Sequence, residues 1–160
     1  MPSRFVAAVI ALSVLAAGCD SGHDGASAFG KGVSAERIAL RLKAAGMPIG
    51  QMQVYDASTD PNKLLGRPGQ YTSRLNFLDK RIGGSQGASL GEINIGQEGS
   101  VEVFANEEEA RKRTEFMRSI TERSALVAEY SYLRGLVYLR LPRGLTPDQA
   151  KQYERALRRL

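Results

Sequence analysis

A single cysteine among 160 residues decides what this chain can use to hold itself together. Cys19 has no partner for an intramolecular disulfide, so the fold must rest on buried apolar surface. Hydrophobic residues make up 42% of the chain, which is globular rather than disordered composition. Setting aside the first 18 residues leaves 142, enough for one compact domain and a tether. The formal charge of +5 is mildly basic and favours anionic partners only weakly.

The position of Cys19 is as informative as its solitude. Arg4 supplies a positive charge, an apolar run extends from Phe5 to Leu15, and small residues follow. This is the layout of a secretory signal peptide, and the run is shorter than the ~20 residues a bilayer span needs. The ending Leu15-Ala16-Ala17-Gly18-Cys19 resembles a bacterial lipobox, with Ala16 where Leu is commoner. The resemblance implies cleavage before Cys19 and a diacylglyceryl group on its thiol. Two acyl chains, at about 0.8 kcal/mol per buried methylene, would make attachment lasting. In a Gram-negative cell, Asp20 next to that cysteine would resemble an inner-membrane retention signal.

Residues 20–32 are dominated by Gly, Ser and Asp, and only Phe29 can pack, so they read as a flexible tether. Three segments follow: 1–18 signal peptide, 19–32 lipidated cysteine and tether, 33–160 globular domain. A helix is expected over 34–45, with Ser34 as N-cap and Ile38, Leu42 and Ala45 on one face. A strand over 51–56 places Met52 and Val54 together. Residues 56–69 are a polar connection with turn chemistry at Asp60-Pro61-Asn62 and Gly66-Arg67-Pro68-Gly69. Residues 71–78 alternate as a half-buried strand, with Tyr71, Ser73, Leu75 and Phe77 on one side. A loop over 83–91, a short strand at Ile93 and Ile95 and a better strand over 100–104 come next.

Asn106 caps a helix reaching about residue 122, with Ala110, Phe116 or Met117, and Ile120 as its apolar face. Residues 130–141 hold two strands broken near Arg134-Gly135. Thr146, Pro147 and Gln149 open the last helix with a capping box, and Ala150, Tyr153, Leu157 and Leu160 form its stripe. The sum is a single α+β domain: a mainly antiparallel sheet with about three helices packed largely on one face.

Residues 59–73, 100–104, 129–135 and 145–150, taken together, resemble a family of uncharacterised lipoproteins found chiefly in Gram-positive bacteria. The likeness runs over most of the chain from Gln51 onward and is most specific over 60–71. It implies a cell-envelope location and a single domain, and carries no chemistry with it.

The residue inventory limits catalysis. The only histidine, His23, lies in the tether, and Cys19 is assigned to lipid, so no Ser-His-Asp or Cys-His set forms in the domain. Zinc sites draw on the same two residue types. No cofactor is implied. Asp56, Asp60 and Asn62, with Asp79 nearby, offer oxygen ligands for a cation, but their spacing is not that of an EF-hand, and turn formation explains them better.

The candidate binding surface is 66–74 and its flank: Asp60, Asn62, Arg67, Gln70, Tyr71 and Arg74. Arginine beside tyrosine can hold a carboxylate, a phosphate or a sugar face. The competing reading is a rigid corner with Arg67 paired to a local acid and Tyr71 in the core. Tyr130, Tyr132 and Tyr138 with Arg134 and Arg140 suggest a polar aromatic strip, but an exported chain argues against nucleic acid. Arg155, Arg158 and Arg159 complement a helix dipole and can also face anionic headgroups or wall polymers.

The expectation is a membrane-anchored lipoprotein on the extracytoplasmic face of the cell membrane. Its domain would be a non-catalytic module that binds a ligand, an envelope protein or an anionic polymer. The alternative is a carboxylate-dependent envelope enzyme such as a glycan hydrolase. That would need two carboxyl groups about 5–5.5 or 6.5–9.5 Å apart across a cleft.

Overall fold

The computed structural model describes residue 29 and residues 32–82, 97–123 and 129–160. The predicted signal segment, Cys19, the tether apart from Phe29 and Gly32, the loop at 83–91 and the strand at Ile93 and Ile95 lie outside the described residues. Among the described residues eight elements are formed: α1 (Ala35–Ala44), β1 (Ile49–Val54), β2 (Ser73–Asp79), β3 (Glu98–Val103), α2 (Glu107–Thr121), β4 (Tyr130–Arg134), β5 (Val137–Leu141) and α3 (Pro147–Arg159). The five strands form one sheet in the order β1-β2-β3-β5-β4, and every neighbouring pair is antiparallel. This is the expected α+β architecture.

Each helix starts where a side chain can satisfy its free N–H groups. Ser34 accepts from Arg37 N–H, Asn106 from Glu109 N–H, and Thr146 from Gln149 N–H with the reciprocal Gln149 bond complete. Ser73 Oγ also accepts from Ala35 N–H at 2.9 Å, fastening the first turn of α1 to the start of β2.

Strand alternation sorts the sheet into two unlike faces. On one, Leu75, Phe77, Val101, Val103, Val137, Leu139 and Leu141 meet Ile38 and Leu42 of α1 and Tyr153 and Leu157 of α3 in the main core. On the other, Arg74, Asn76, Ser100 and Glu102 are buried although polar, and Tyr138 joins Tyr71, Phe104 and Ala110 in a smaller cluster. Two helices thus cover the apolar face, and among the described residues α2 and the connection from β1 to β2 lie over the polar one.

The structure amends several details. β2 is buried on both sides, not half-buried, because the groups on its polar side have partners. Tyr71 does not share a face with Leu75 and Phe77. It precedes the strand, and the turn closed by Gly66 N–H to Tyr71 C=O sends its ring to the smaller cluster. β1 begins two residues before its expected start, with Ile49 buried and Val54 46% exposed. On α2, Phe116 is 56% exposed and Ile120 is also exposed; Ala110 and Met117 pack inward. Phe29, assigned to the tether, is buried in the main core, with the Arg134 guanidinium 5.0 Å from its ring centre. The folded unit therefore includes a residue four positions before the expected boundary at 33.

Gly99 has a packing role. It faces Phe77 across the β2–β3 ladder, and a Cβ there would strike the Phe77 ring. Phe77 is fully buried and cannot swing away. Gly99→Ala should therefore lower stability by about 1–3 kcal/mol, the usual cost of overpacking. Chemical denaturation would measure this, with Gly66→Ala as a comparison whose Cβ meets no neighbour but whose positive φ is strained.

Candidate functional site

The connection from β1 to β2 is built on two aspartates. Asp56 Oδ1 accepts from Ser58 N–H at 2.8 Å, Ser58 Oγ at 2.6 Å, Thr59 N–H at 2.9 Å and Thr59 Oγ1 at 3.0 Å. Led by the Ser58 hydroxyl, these bonds hold its pKa at about 2. This is turn formation, as the residue types imply.

Asp60 turns inward instead. Its Oδ2 accepts from the Tyr71 hydroxyl at 2.7 Å and from the Leu64 and Leu65 N–H groups at 2.8 and 3.0 Å. Its Oδ1 pairs with Arg74 Nη1 at 2.5 Å and receives a longer bond from Asn62 N–H at 3.4 Å. A left-handed Lys63, with φ 53°, aims the two leucine amides at the carboxylate. Burial opposes the charge on Asp60. The bonds from Tyr71, Leu64, Leu65 and Arg74 outweigh it and hold the pKa at about 2.

Arg74 lies between two aromatic rings, 5.0 Å from the centre of Tyr55 and 5.7 Å from that of Tyr71. Its Nη2 reaches Asn76 Oδ1 at 3.5 Å, and Asn76 donates to Glu98 Oε2 at 2.6 Å. Burial first, and then the bond to Asp60, raises the Tyr71 pKa and keeps the phenol protonated. Nearby, the buried Glu102 takes Arg113 of α2 in a bidentate pair at 2.9 and 3.1 Å. Arg140 lies 3.8 Å from Glu102 and pairs with Glu129 at 2.7 Å. Arg113 also stacks 5.9 Å from both the Tyr71 and Phe116 ring centres.

These pairs fix two walls of a groove of about 350 Å3. Leu64, Gly69 and Gln70 form the wall on the connection, and Lys112, Arg113 and Phe116 form the wall on α2. The six residues singled out in the sequence divide accordingly. Asp60, Tyr71 and Arg74 are buried behind the wall. Asn62 is exposed but reaches back to the Tyr71 hydroxyl at 3.3 Å. Gln70 lines the groove. Arg67 is exposed at the turn, where its backbone bonds Leu64 and Gln70. The corner reading with Arg67 as the paired arginine is thus corrected: Arg74 is the arginine that clamps it.

Of the alternatives Phe116 and Met117 for the apolar face of α2, Met117 packs inward and Phe116 forms part of the groove wall. The signal lay in Arg113, three residues after Ala110 and four before Met117, on the buried stripe of the helix. The four-oxygen cluster does not assemble either. Asp79 points to the main-core face, where Arg81 pairs with it at 2.7 Å and Tyr153 donates at 2.7 Å. Tyr130, Tyr132 and Arg134 fall on one face of the sheet and Tyr138 and Arg140 on the other, so no continuous strip forms.

Each inward carboxylate is therefore committed to an arginine. A general acid needs a proton at working pH, and Asp60 and Asp79 are pushed the other way. What the groove offers is a surface: an exposed aromatic ring, an apolar neighbour and the exposed Lys112, which pairs with Glu108 at 2.6 Å, while Arg113 is taken up by Glu102. Comparison of the chain with family models, curated proteins and solved structures found no match. The functional reading rests on this chain's own residues.

Asp60 generates a pH prediction. Its folded pKa is about 2 against an ordinary 3.8. Its contribution is complete above about pH 4 and is lost as pH falls towards 2, amounting to about 2 kcal/mol. Asp60→Asn should cost about 3–5 kcal/mol at pH 7, because Arg74 is left buried without its counter-charge. The variant should also lose stability less steeply between pH 4 and 2 in urea titrations.

Proposed function

We propose that this chain is a membrane-anchored envelope lipoprotein whose folded unit is a non-catalytic binding module. The anchor is supported by the sequence ending in Ala17-Gly18-Cys19 after an apolar run. The binding role is supported by one observation above the others: Phe116, 56% exposed, lines with Leu64 a groove whose walls are held by buried ion pairs. An exposed aromatic ring on rigid walls, beside the exposed Lys112, suits a partner segment that presents an apolar side chain and a carboxylate able to replace Glu108 at that lysine. An envelope protein is the partner class that fits an extracytoplasmic location.

Two experiments test the two halves. Cells carrying the wild type should incorporate radiolabelled palmitate into the chain, and Cys19→Ala should abolish it. An unlabelled wild type would remove the anchor. For the groove, a photoreactive phenylalanine analogue at position 116 should crosslink one discrete partner in intact cells. The same analogue at position 40, where Leu40 is 47% exposed on α1, should not. Equal products from both positions, or none from 116, would refute the binding role. Phe116→Ala should shift stability by less than about 0.5 kcal/mol, as exposed substitutions do.

A further inference from the structure

The net charge of the molecule is concentrated on one side of the sheet. α1 carries Arg37, Arg41 and Lys43 against Glu36 alone. α3 carries Lys151, Arg155, Arg158 and Arg159 against Asp148 and Glu154. All seven cations are exposed. α2, on the other face, balances Arg111, Lys112, Arg113 and Arg118 with Glu107, Glu108, Glu109 and Glu115. The two helices over the apolar face thus hold a surplus of four positive charges out of the chain's five.

Between the end of α1 and the outer side of α3 runs a groove of about 210 Å3. Its floor is Ala45, Met47 and Ala156, and Arg155 and Arg159 stand one helical turn apart on its rim. The carbonyls at the end of α1 are already answered by Ala45, Gly46 and Met47 N–H groups. The guanidiniums therefore face an apolar floor rather than unsatisfied oxygens.

Phe29, the described residue nearest to Cys19 in the sequence, lies on this side. Phe29 is buried under Arg134, and Arg134 donates to Leu157 C=O in the last turns of α3 at 2.6 Å. Cys19 and Phe29 are ten positions apart. Fully extended, that stretch reaches about 35 Å, so an anchor at Cys19 leaves the basic helices free to approach the surface that holds it, where charges act within a Debye length of about 10 Å.

We propose that the α1–α3 face docks on an anionic phospholipid bilayer, with a headgroup phosphate held between Arg155 and Arg159. The orientation rests on the reading of Cys19 as the anchor; the charge on the face does not. Arginine pairs suit phosphate oxygens, and a plane of such headgroups matches a basic face spread over two helices. The opposite face, with the Phe116 groove, is then turned away from the lipid.

The test uses the full-length chain carrying Cys19→Ala, so that no acyl group contributes. Its sedimentation with vesicles of phosphatidylglycerol and phosphatidylcholine is compared with that on phosphatidylcholine alone. The apolar N-terminal run is common to every sample, so the readout is the excess on anionic vesicles. That excess should be present, and should vanish when salt is raised from about 0.1 to 0.5 M. Arg155→Glu with Arg159→Glu should reduce it at least about tenfold, while Arg111→Glu with Arg118→Glu on α2 should leave it within about twofold. Arg155→Gln with Arg159→Gln serves if the first pair fails to fold by circular dichroism.

No excess on anionic vesicles, or equal losses from both pairs, overturns the proposal. So does a preference for soluble polyphosphate at equal phosphate, which would assign the face to an anionic polymer. Loss of palmitate labelling in the wild type with the vesicle excess intact removes the anchor and leaves the docking face.

Discussion

The carboxylate of Asp60 and the guanidinium of Arg74 meet inside the protein, and the rest of the polar half is arranged around that contact. A buried charge is costly unless it is paired and its remaining valences are filled. Asp60 fills them with the Tyr71 hydroxyl and the amides of Leu64 and Leu65. Arg74 fills them with Asp60, Asn76 and two aromatic faces, its Nε alone lacking a bond. The connection between β1 and β2 is therefore folded structure. A tyrosine, two backbone amides and a strand residue all converge on one side chain.

The same device recurs across that face. Glu102 in the centre of the sheet is met by Arg113, which brings α2 down without a broad apolar stripe. Arg140 joins Glu102 to Glu129 at the start of β4. The main core is mostly aliphatic and aromatic, with one such pair, Asp79 and Arg81, bonded to the Tyr153 hydroxyl. The molecule thus has one face held mainly by burial of hydrocarbon and one held by paired charges. On the second, ion pairs fix the walls of the Phe116 groove without filling the space between them.

Much of the fold was legible in the sequence because the relevant signals are local. Ser34, Asn106 and Thr146 announce helix starts through bonds only three residues long. Val137, Leu139 and Leu141 reveal their face by alternation. The break at Gly135, with φ 53°, follows from glycine's tolerance of a left-handed turn. The ion pairs were not legible. Nothing in the spacing of Asp60 and Arg74, or of Glu102 and Arg113, says that these four polar residues face inward and towards each other. A hydropathy pattern counts them as solvent-facing. Helical spacing left Phe116 and Met117 as alternatives for the inner side of α2; Met117 packs inward and Phe116 does not. Its place was taken by Arg113, whose aliphatic stem and charge both find buried partners. Phe29 was hidden by its composition, one ring among glycines and serines, although it packs as tightly as any residue of α1.

The central claim is that the Asp60 carboxylate locks the connection into the folded unit. Amide hydrogen exchange at Leu64 and Leu65 tests it directly, because both N–H groups donate to Asp60 Oδ2. If the claim holds, both amides open only with the whole domain, and their exchange at neutral pH is within about tenfold of that of Val101 in the centre of the sheet. Exchange within about tenfold of an unprotected peptide, with Val101 still slow, would show a mobile surface loop and contradict it.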